Sequence, residues 1–278
     1  MTRLISEPKI KKYRTVWISD VHLGSRGCQA ELLLDFFKHT ESNELYLVGD
    51  IIDGWSLKRG WYWPQSHNDV VQKLLRKVRR GTRVIFVPGN HDDFARRYFD
   101  YQFGGIEVVL TAQHETANGL KLLILHGDEF DIIVRYARWL AYLGDSSYRL
   151  LLRFNTTLNS FRQALGLSYW SLSAYLKQRV KTAVNFVGAF EAAVVEAAIR
   201  QEVDGVVCGH IHHAEMRNIN GILYCNDGDW VESCTALVEH YDGQLELLNW
   251  AEIVRERNNG KITAPKTQSI RHSLATNS

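Results

Sequence analysis

The sequence predicts an α/β fold built on a sheet buried on both faces, and three features carry that prediction. Short, near-continuous apolar runs recur along the 278 residues. Several of these runs end at once in Asp, Asn or His, and amphipathic helical patterns fill some of the gaps between them. Apolar residues make up 45% and charged residues 23% of the chain, enough for a sizeable core. The length suits one large domain with an insertion, or one domain with a small cap.

The runs come in order. Thr15-Val16-Trp17-Ile18-Ser19 ends in Asp20, and Leu45-Tyr46-Leu47-Val48-Gly49 ends in Asp50. Val84-Ile85-Phe86-Val87 ends at Pro88-Gly89-Asn90, Leu122-Leu123-Ile124-Leu125 ends in His126, and Gly205-Val206-Val207-Cys208 leads to His210. Unbroken apolar stretches of this length fit strands covered on both faces. Helical periodicity marks 29–38 and 68–80, the second stopped by Gly81. In buried sheets of this kind, ligands bind beyond the carboxyl ends of the strands, where all these polar residues fall. Later runs at 222–224, 234–239 and 245–249 read as strands, with Asp242-Gly243 as a turn.

Between His126 and Val203 the texture changes. Phe130 to Arg200 holds nine Lys/Arg against four Asp/Glu and is rich in helix formers, Tyr, Trp and Phe. It reads as a helical insertion. The expected division is therefore a catalytic core at 14–127 and 203–250, an insertion at 128–202, and a polar, disordered tail at 251–278. The net charge of +2 gives no footing for nucleic acid. Cys28, Cys208, Cys225 and Cys234 lack paired spacing and read as reduced thiols. With no signal peptide pattern and no long apolar run, the expected location is the cytoplasm.

Five blocks hold the polar chemistry: Asp20-Val21-His22, Gly49-Asp50-Ile51-Ile52-Asp53, Gly89-Asn90-His91-Asp92, His126-Gly127-Asp128 and Gly209-His210-Ile211-His212. Each alone has an ordinary reading as a strand-end turn, a helix cap or a hydrogen-bonded histidine. Together they place hard oxygens and imidazoles at several strand ends without thiolate pairs. That donor set suits Mn²⁺, Fe²⁺ or Zn²⁺, and seven ligands suffice for two ions if one carboxylate bridges.

The order of these blocks resembles the calcineurin-like metallophosphoesterase superfamily, from Asp20 to His212, with every ligand position filled. The resemblance implies a β-sandwich flanked by helices (αββα) with a helical insertion as lid or cap. It implies that Asp20, His22 and His212 hold one divalent ion and Asn90, His126 and His210 the other, with Asp50 bridging. His91 is then the catalytic histidine beside the scissile phosphate, Asp92 orients its ring, and Asp53 supports the Asp50 loop. Manganese is the expected metal, with iron or zinc as alternatives.

A narrower resemblance rests on Trp17 to Gly24, on the insertion after His126 and on Asn226 to Cys234. These look like the UDP-2,3-diacylglucosamine hydrolase branch, which cleaves a pyrophosphate to UMP and a lipid monosaccharide phosphate in lipid A synthesis. That branch implies a nucleotide-linked lipid substrate and peripheral contact with the cytoplasmic face of the inner membrane. In the insertion, Leu140, Leu143, Leu150, Leu151, Phe154 and Leu158 recur at helical steps, with Arg149, Arg153, Lys177 and Lys181 nearby. Two readings stand: an acyl groove with cations facing phosphate, or a stripe packed on the parent domain. Asn90 joins the four cations as a candidate substrate contact. The chain departs from the branch at His91, where its best-known members carry Arg, which cannot serve as a general acid. Trp55, Trp61, Tyr62 and Trp63, in the loop after Asp50, suit either base stacking or loop closure. Rival readings are a phosphodiesterase on the same centre, a scaffold without catalysis and a lipid-binding module.

Overall fold

The computed structural model describes residues 10–130, 187–259 and the backbone of 268–270. The chain divides into two compact units, Met1–Asp128 with Val195–Ser278, and Glu129–Val194.

The larger unit contains two sheets. The first sheet uses β1 (Lys11–Ile18), β2 (Thr40–Val48), β3 (Arg83–Val87), β4 (Gln102–Phe103) and β5 (Ile106–Val108). Late strands β11 (Thr235–Glu239), β12 (Leu245–Asn249) and β13 (Gln268–Ile270) complete it, in the order β13-β12-β11-β1-β2-β3-β5-β4. The second sheet takes β6 (Ala112–Glu115), β7 (Lys121–Ile124), β8 (Gly205–Cys208), β9 (Glu215–Ile219) and β10 (Ile222–Asn226), ordered β6-β7-β8-β10-β9. The central strands β1, β2, β3 and β5 are parallel, as are β7, β8 and β10.

Side-chain alternation explains why the runs are apolar throughout. Val16, Ile18, Leu45, Leu47 and Val84 point to one face of the first sheet. There they join Leu33, Phe36 and Phe37 of helix α1 (Ala30–His39) and Val70 and Leu74 of α3 (Gln65–Arg79). Trp17, Tyr46, Val48, Ile85 and Val87 point the other way and meet Leu122, Ile124, Val207 and Leu223 of the second sheet. Each run thus serves a helix layer on one face and a sheet on the other. The short helix α2 (Gly54–Arg59) follows β2 and is capped by Asp53, whose side chain accepts from the Ser56 N–H.

Residues 251–258, expected as part of a disordered tail, are helical. Trp250–Asn258 forms a helix, with the Asn249 side chain accepting from the Glu252 N–H. Trp250 is buried against Phe36, ring centroids 5.1 Å apart, and β13 pairs antiparallel with β12. A helix of this length needs only one buried stripe, and Trp250 with Ala251, Ile253 and Val254 supplies it within an otherwise charged segment.

In the smaller unit the Phe130 ring meets Phe190, centroids 6.4 Å apart. Residues 187–200 are helical. The apolar stripe from Leu140 to Leu158 and the cations Arg149, Arg153, Lys177 and Lys181 lie outside the described residues. Among the described residues, no helix is long and apolar enough to cross a membrane.

Candidate metal centre

All five polar blocks follow carboxyl ends of parallel strands, three from the first sheet (β1, β2, β3) and two from the second (β7, β8). Backbone bonds lay the turns side by side: the Asp20 N–H donates to Gly49 O at 3.0 Å, and the His22 N–H to Asp50 O at 2.9 Å. Five candidate ligands, Asp20, His22, Asp50, His210 and His212, adopt left-handed backbone with φ between 49° and 70°. Such conformations cost on the order of 1–3 kcal/mol each outside glycine, and the surrounding hydrogen bonds hold them in place. Gly49 has φ 82°, and a Cβ there would run into the His126 ring. Gly89 passes so close to Asp50 and His126 that any side chain would displace them, which sets Asn90 beside both.

The ligand atoms converge in overlapping groups. Those of Asp20, His22 and His212 lie within 4.8 Å of one another, as do those of Asp50, His126 and His210, and those of His22, Asp50 and His91. Asp50 belongs to two of these groups, as a bridging carboxylate must. Three of the candidate ligands are gripped by one atom while another faces inward. His126 Nδ1 bonds Val48 O at 2.8 Å, Asp20 Oδ2 accepts from the His210 N–H at 2.8 Å, and Asp50 Oδ1 accepts from the His91 N–H at 2.8 Å. Of the inward atoms, His22 Nε2, Asn90 Oδ1 and His126 Nε2 are buried without a hydrogen-bond partner, and Asp20 Oδ1 stands 3.0 Å from His212 Nε2. Buried polar atoms left in this way are costly, and oxygen and nitrogen donors of this kind fit divalent cations.

Electrostatics agrees with that fit. Burial would push the His22 and His126 imidazoles down, but the Asp20, Asp50 and Asp53 carboxylates outweigh it, raising His22 to about 9 and His126 to about 10. Burial raises Asp20 and Asp50 too, yet the neighbouring histidines hold both well below the ordinary carboxylate range. The cluster is a well of negative potential that draws positive charge.

Two roles exchange places relative to the sequence expectation. Asp92 does not orient His91. Its fully buried carboxylate accepts backbone N–H groups from Asp50 (3.3 Å), Ile51 (2.7 Å), Ile52 (3.1 Å) and Gly89 (2.6 Å), tying the β2 and β3 turns together. Burial and the Asp50 carboxylate push Asp92 up to about 6. Asp53 is the residue that reaches His91, Oδ1 to Nδ1 at 2.9 Å, while its Oδ2 stands 3.7 Å from His22 Nδ1. The reason is turn geometry: the Asp92 side chain folds back under its own loop, and α2 carries Asp53 forward. Trp55, also on α2, lays its ring over His91 at 4.2 Å between centroids.

Residues 226–230 brace the centre from behind, a role their sequence did not announce. Asn226 Nδ2 donates to Gly209 O at 2.7 Å, and Ser19 Oγ donates to Asp227 Oδ1 at 2.6 Å. The Trp230 N–H donates to Asp20 O at 3.0 Å. Arg96 links Pro88 O (3.0 Å) to Asp128 (2.6 Å), joining the turns after β3 and β7.

The chain is 32% identical over 120 residues to a UDP-2,3-diacylglucosamine hydrolase of Histophilus somni (strain 129Pt), covering 41% of this chain and 49% of that one. It is 23% identical over 218 residues to a protein of the same name from Hamiltonella defensa, covering 75% and 81%. The chain thus spans about half the length of the Histophilus relative. Among solved structures, the phosphoesterase Yfce of E. coli is similar at 13% identity and TM-score 0.43, over 86% of this chain and 93% of that one. The family model for calcineurin-like phosphoesterases runs from residue 13, early in β1, to residue 214, just past His212. It takes in every candidate ligand, and on that match the chain belongs to the calcineurin-like phosphoesterase family.

Proposed function

We propose that the protein is a dinuclear-metal phosphohydrolase that cleaves the pyrophosphate of UDP-2,3-diacylglucosamine, releasing UMP and a lipid monosaccharide phosphate. The observation that carries the hydrolase reading is the convergence of ligand atoms in two groups of three, Asp20 with His22 and His212, and Asp50 with His126 and His210, each within 4.8 Å. The substrate reading rests on the names of the relatives at 23–32% identity. Asp20, His22 and His212 would hold one cation, Asn90, His126 and His210 the other, and Asp50 both; manganese is the proposed metal. When bound, such a pair supplies an activated water and neutralises phosphate charge in an in-line displacement.

The chain's own residues supply the rest. Asp53 accepts at His91 Nδ1, which fixes the ring so that Nε2, 3.9 Å from Asp50 Oδ2, faces the centre. In its protonated form the ring donates from Nε2 to the leaving-group oxygen. Trp55 limits the tilt of that ring and offers an apolar wall to the substrate. Asn90, Arg149, Arg153, Lys177 and Lys181 are the proposed substrate contacts, and peripheral attachment to the cytoplasmic face of the inner membrane would bring the enzyme to its lipid.

One observation favours a second reading. Histidine stands at position 91, where the best-known members of the branch that the sequence resembles carry Arg, and this supports a related nucleotide-linked or phosphodiester substrate. The deciding experiment is a Mn²⁺-supplemented assay of UMP release from UDP-2,3-diacylglucosamine, run beside bis(p-nitrophenyl) phosphate, with Asp50→Ala as the blank. Faster turnover of the diester selects the second reading, and undiminished turnover by Asp50→Ala removes both.

A further inference from the structure

At the end of the first sheet away from the metal centre lies a pocket of about 370 Å³. It is lined where β1 begins, where α1 passes into β2, and where α3 passes into β3. Lys12, Lys38, Lys73, Lys77 and Arg80 converge on it, and Glu41 is the one carboxylate among its described lining residues. Glu41 meets Lys12 across 3.8 Å with both side chains at least half exposed, so it neutralises little.

Helix ends account for part of this charge. Lys38 sits in the last turn of α1, and Lys77, in the last turn of α3, donates to Thr40 O at 3.1 Å, the residue that closes α1. Helix ends do not account for Lys73, a turn earlier in α3, or for Lys12, on a strand. Nor do they explain why Lys77 is buried, its ammonium 5.2 Å from the Phe37 ring centre. The cations work against one another: burial, then Lys73, pulls Lys77 down to about 8, and burial, then Arg80, Arg76 and Lys38, pulls Lys73 down. Like charges gathered around a concavity are stabilised when a multivalent anion enters it. Ser42 and Asn43 add neutral polar side chains to the lining, while the Thr40 and Thr82 hydroxyls donate to the Phe36 and Ser42 carbonyls. The volume matches a small-molecule site and exceeds what a single inorganic ion fills.

We propose that this pocket binds a phosphate-bearing small molecule or headgroup, with Lys38, Lys73 and Arg80 as its charge contacts and the Phe37 and Tyr241 rings as its apolar wall. Eight residues separate Lys12 from Asp20 along β1 and its turn, roughly 25 Å at strand rise. The ligand is therefore not the molecule being hydrolysed. The site is a second one, acting by attachment or by modulation.

The test uses the full-length, metal-loaded protein and reads binding of radiolabelled pyrophosphate by equilibrium dialysis at low salt. Wild type is expected to show a site that survives in Asp50→Ala, with affinity within twofold. Lys73→Glu/Arg80→Glu is expected to weaken it at least tenfold while leaving hydrolysis unchanged; if that double variant does not fold, Lys38→Glu serves, with a smaller loss. A second arm measures sedimentation with phosphatidylcholine vesicles containing phosphatidic acid. Pocket-dependent vesicle binding without free pyrophosphate binding assigns the phosphate to a lipid headgroup, and the reverse assigns it to a soluble compound. Binding lost with Asp50→Ala but kept by the pocket variants, or binding in neither arm, overturns the proposal.

Discussion

Asp53 and Asp92 show how much of this centre depends on where a carboxylate points. Both are buried, and both lie within a few residues of a proposed ligand. Asp53 faces imidazole rings while also capping α2 at Ser56, whereas Asp92 gathers backbone amides from two turns. Asp53→Asn keeps an oxygen to cap α2 but loses the charge facing His91. It should lower kcat about tenfold or more and flatten the acid–base limb of the pH–rate profile, with little change in urea unfolding. His91→Ala should lower kcat by about 10²-fold with metal content intact, read by metal analysis of the purified variant. Asp92→Ala should do the reverse of Asp53→Asn: four N–H groups lose their acceptor, costing about 3 kcal/mol or more in urea unfolding. The candidate ligands could be picked out in the sequence because each sits at a strand end with a fixed neighbour. The division of labour between two aspartates could not, because it depends on side-chain direction, which spacing does not encode.

At the scale of elements, the central strands were readable because burial on both faces leaves no polar break, as in Val84 to Val87. What escaped was short or mixed in composition: β4 with two residues, β9 with Arg217 and Asn218 exposed, and the helix Trp250–Asn258 hidden in a charged stretch. The β6 strand was missed for a related reason. Its single buried residue, His114, is polar, and it is held by Glu239 at 2.8 Å and Glu44 at 3.1 Å. Burial pulls the His114 imidazole down, but Glu239 and Glu44 outweigh it and hold it above its ordinary value. A raised histidine contributes stability that is fully present below about pH 6.5 and fades as pH rises through the folded value. His114→Gln should therefore cost more in urea unfolding at pH 6 than at pH 9, and an equal cost at both would deny the ionic account. The network ties β1, β6 and β11 at the sheet end remote from the metal centre, so this loss should leave turnover unaffected at moderate denaturant.

For the whole molecule, the family was legible because five blocks far apart in sequence keep their order, from Asp20 to His212. Nothing in that order disclosed the brace formed by Asn226, Asp227 and Trp230, which acts through backbone contacts between distant turns. Exhaustive chelation should lower the melting temperature, since an ion at a hundred times its Kd adds about 2.7 kcal/mol to the folded state. That corresponds to roughly 5–10 °C for a chain of this size, read by scanning calorimetry with and without Mn²⁺. The proposed ligands hang from both layers of the sandwich, Asp20, His22, Asp50 and Asn90 from one, His126, His210 and His212 from the other. A rivet through two plates fails when the plates part, even if neither plate bends. Warming should accordingly extinguish turnover several degrees before far-ultraviolet dichroism registers any melting of strands, and the gap should narrow as manganese is added.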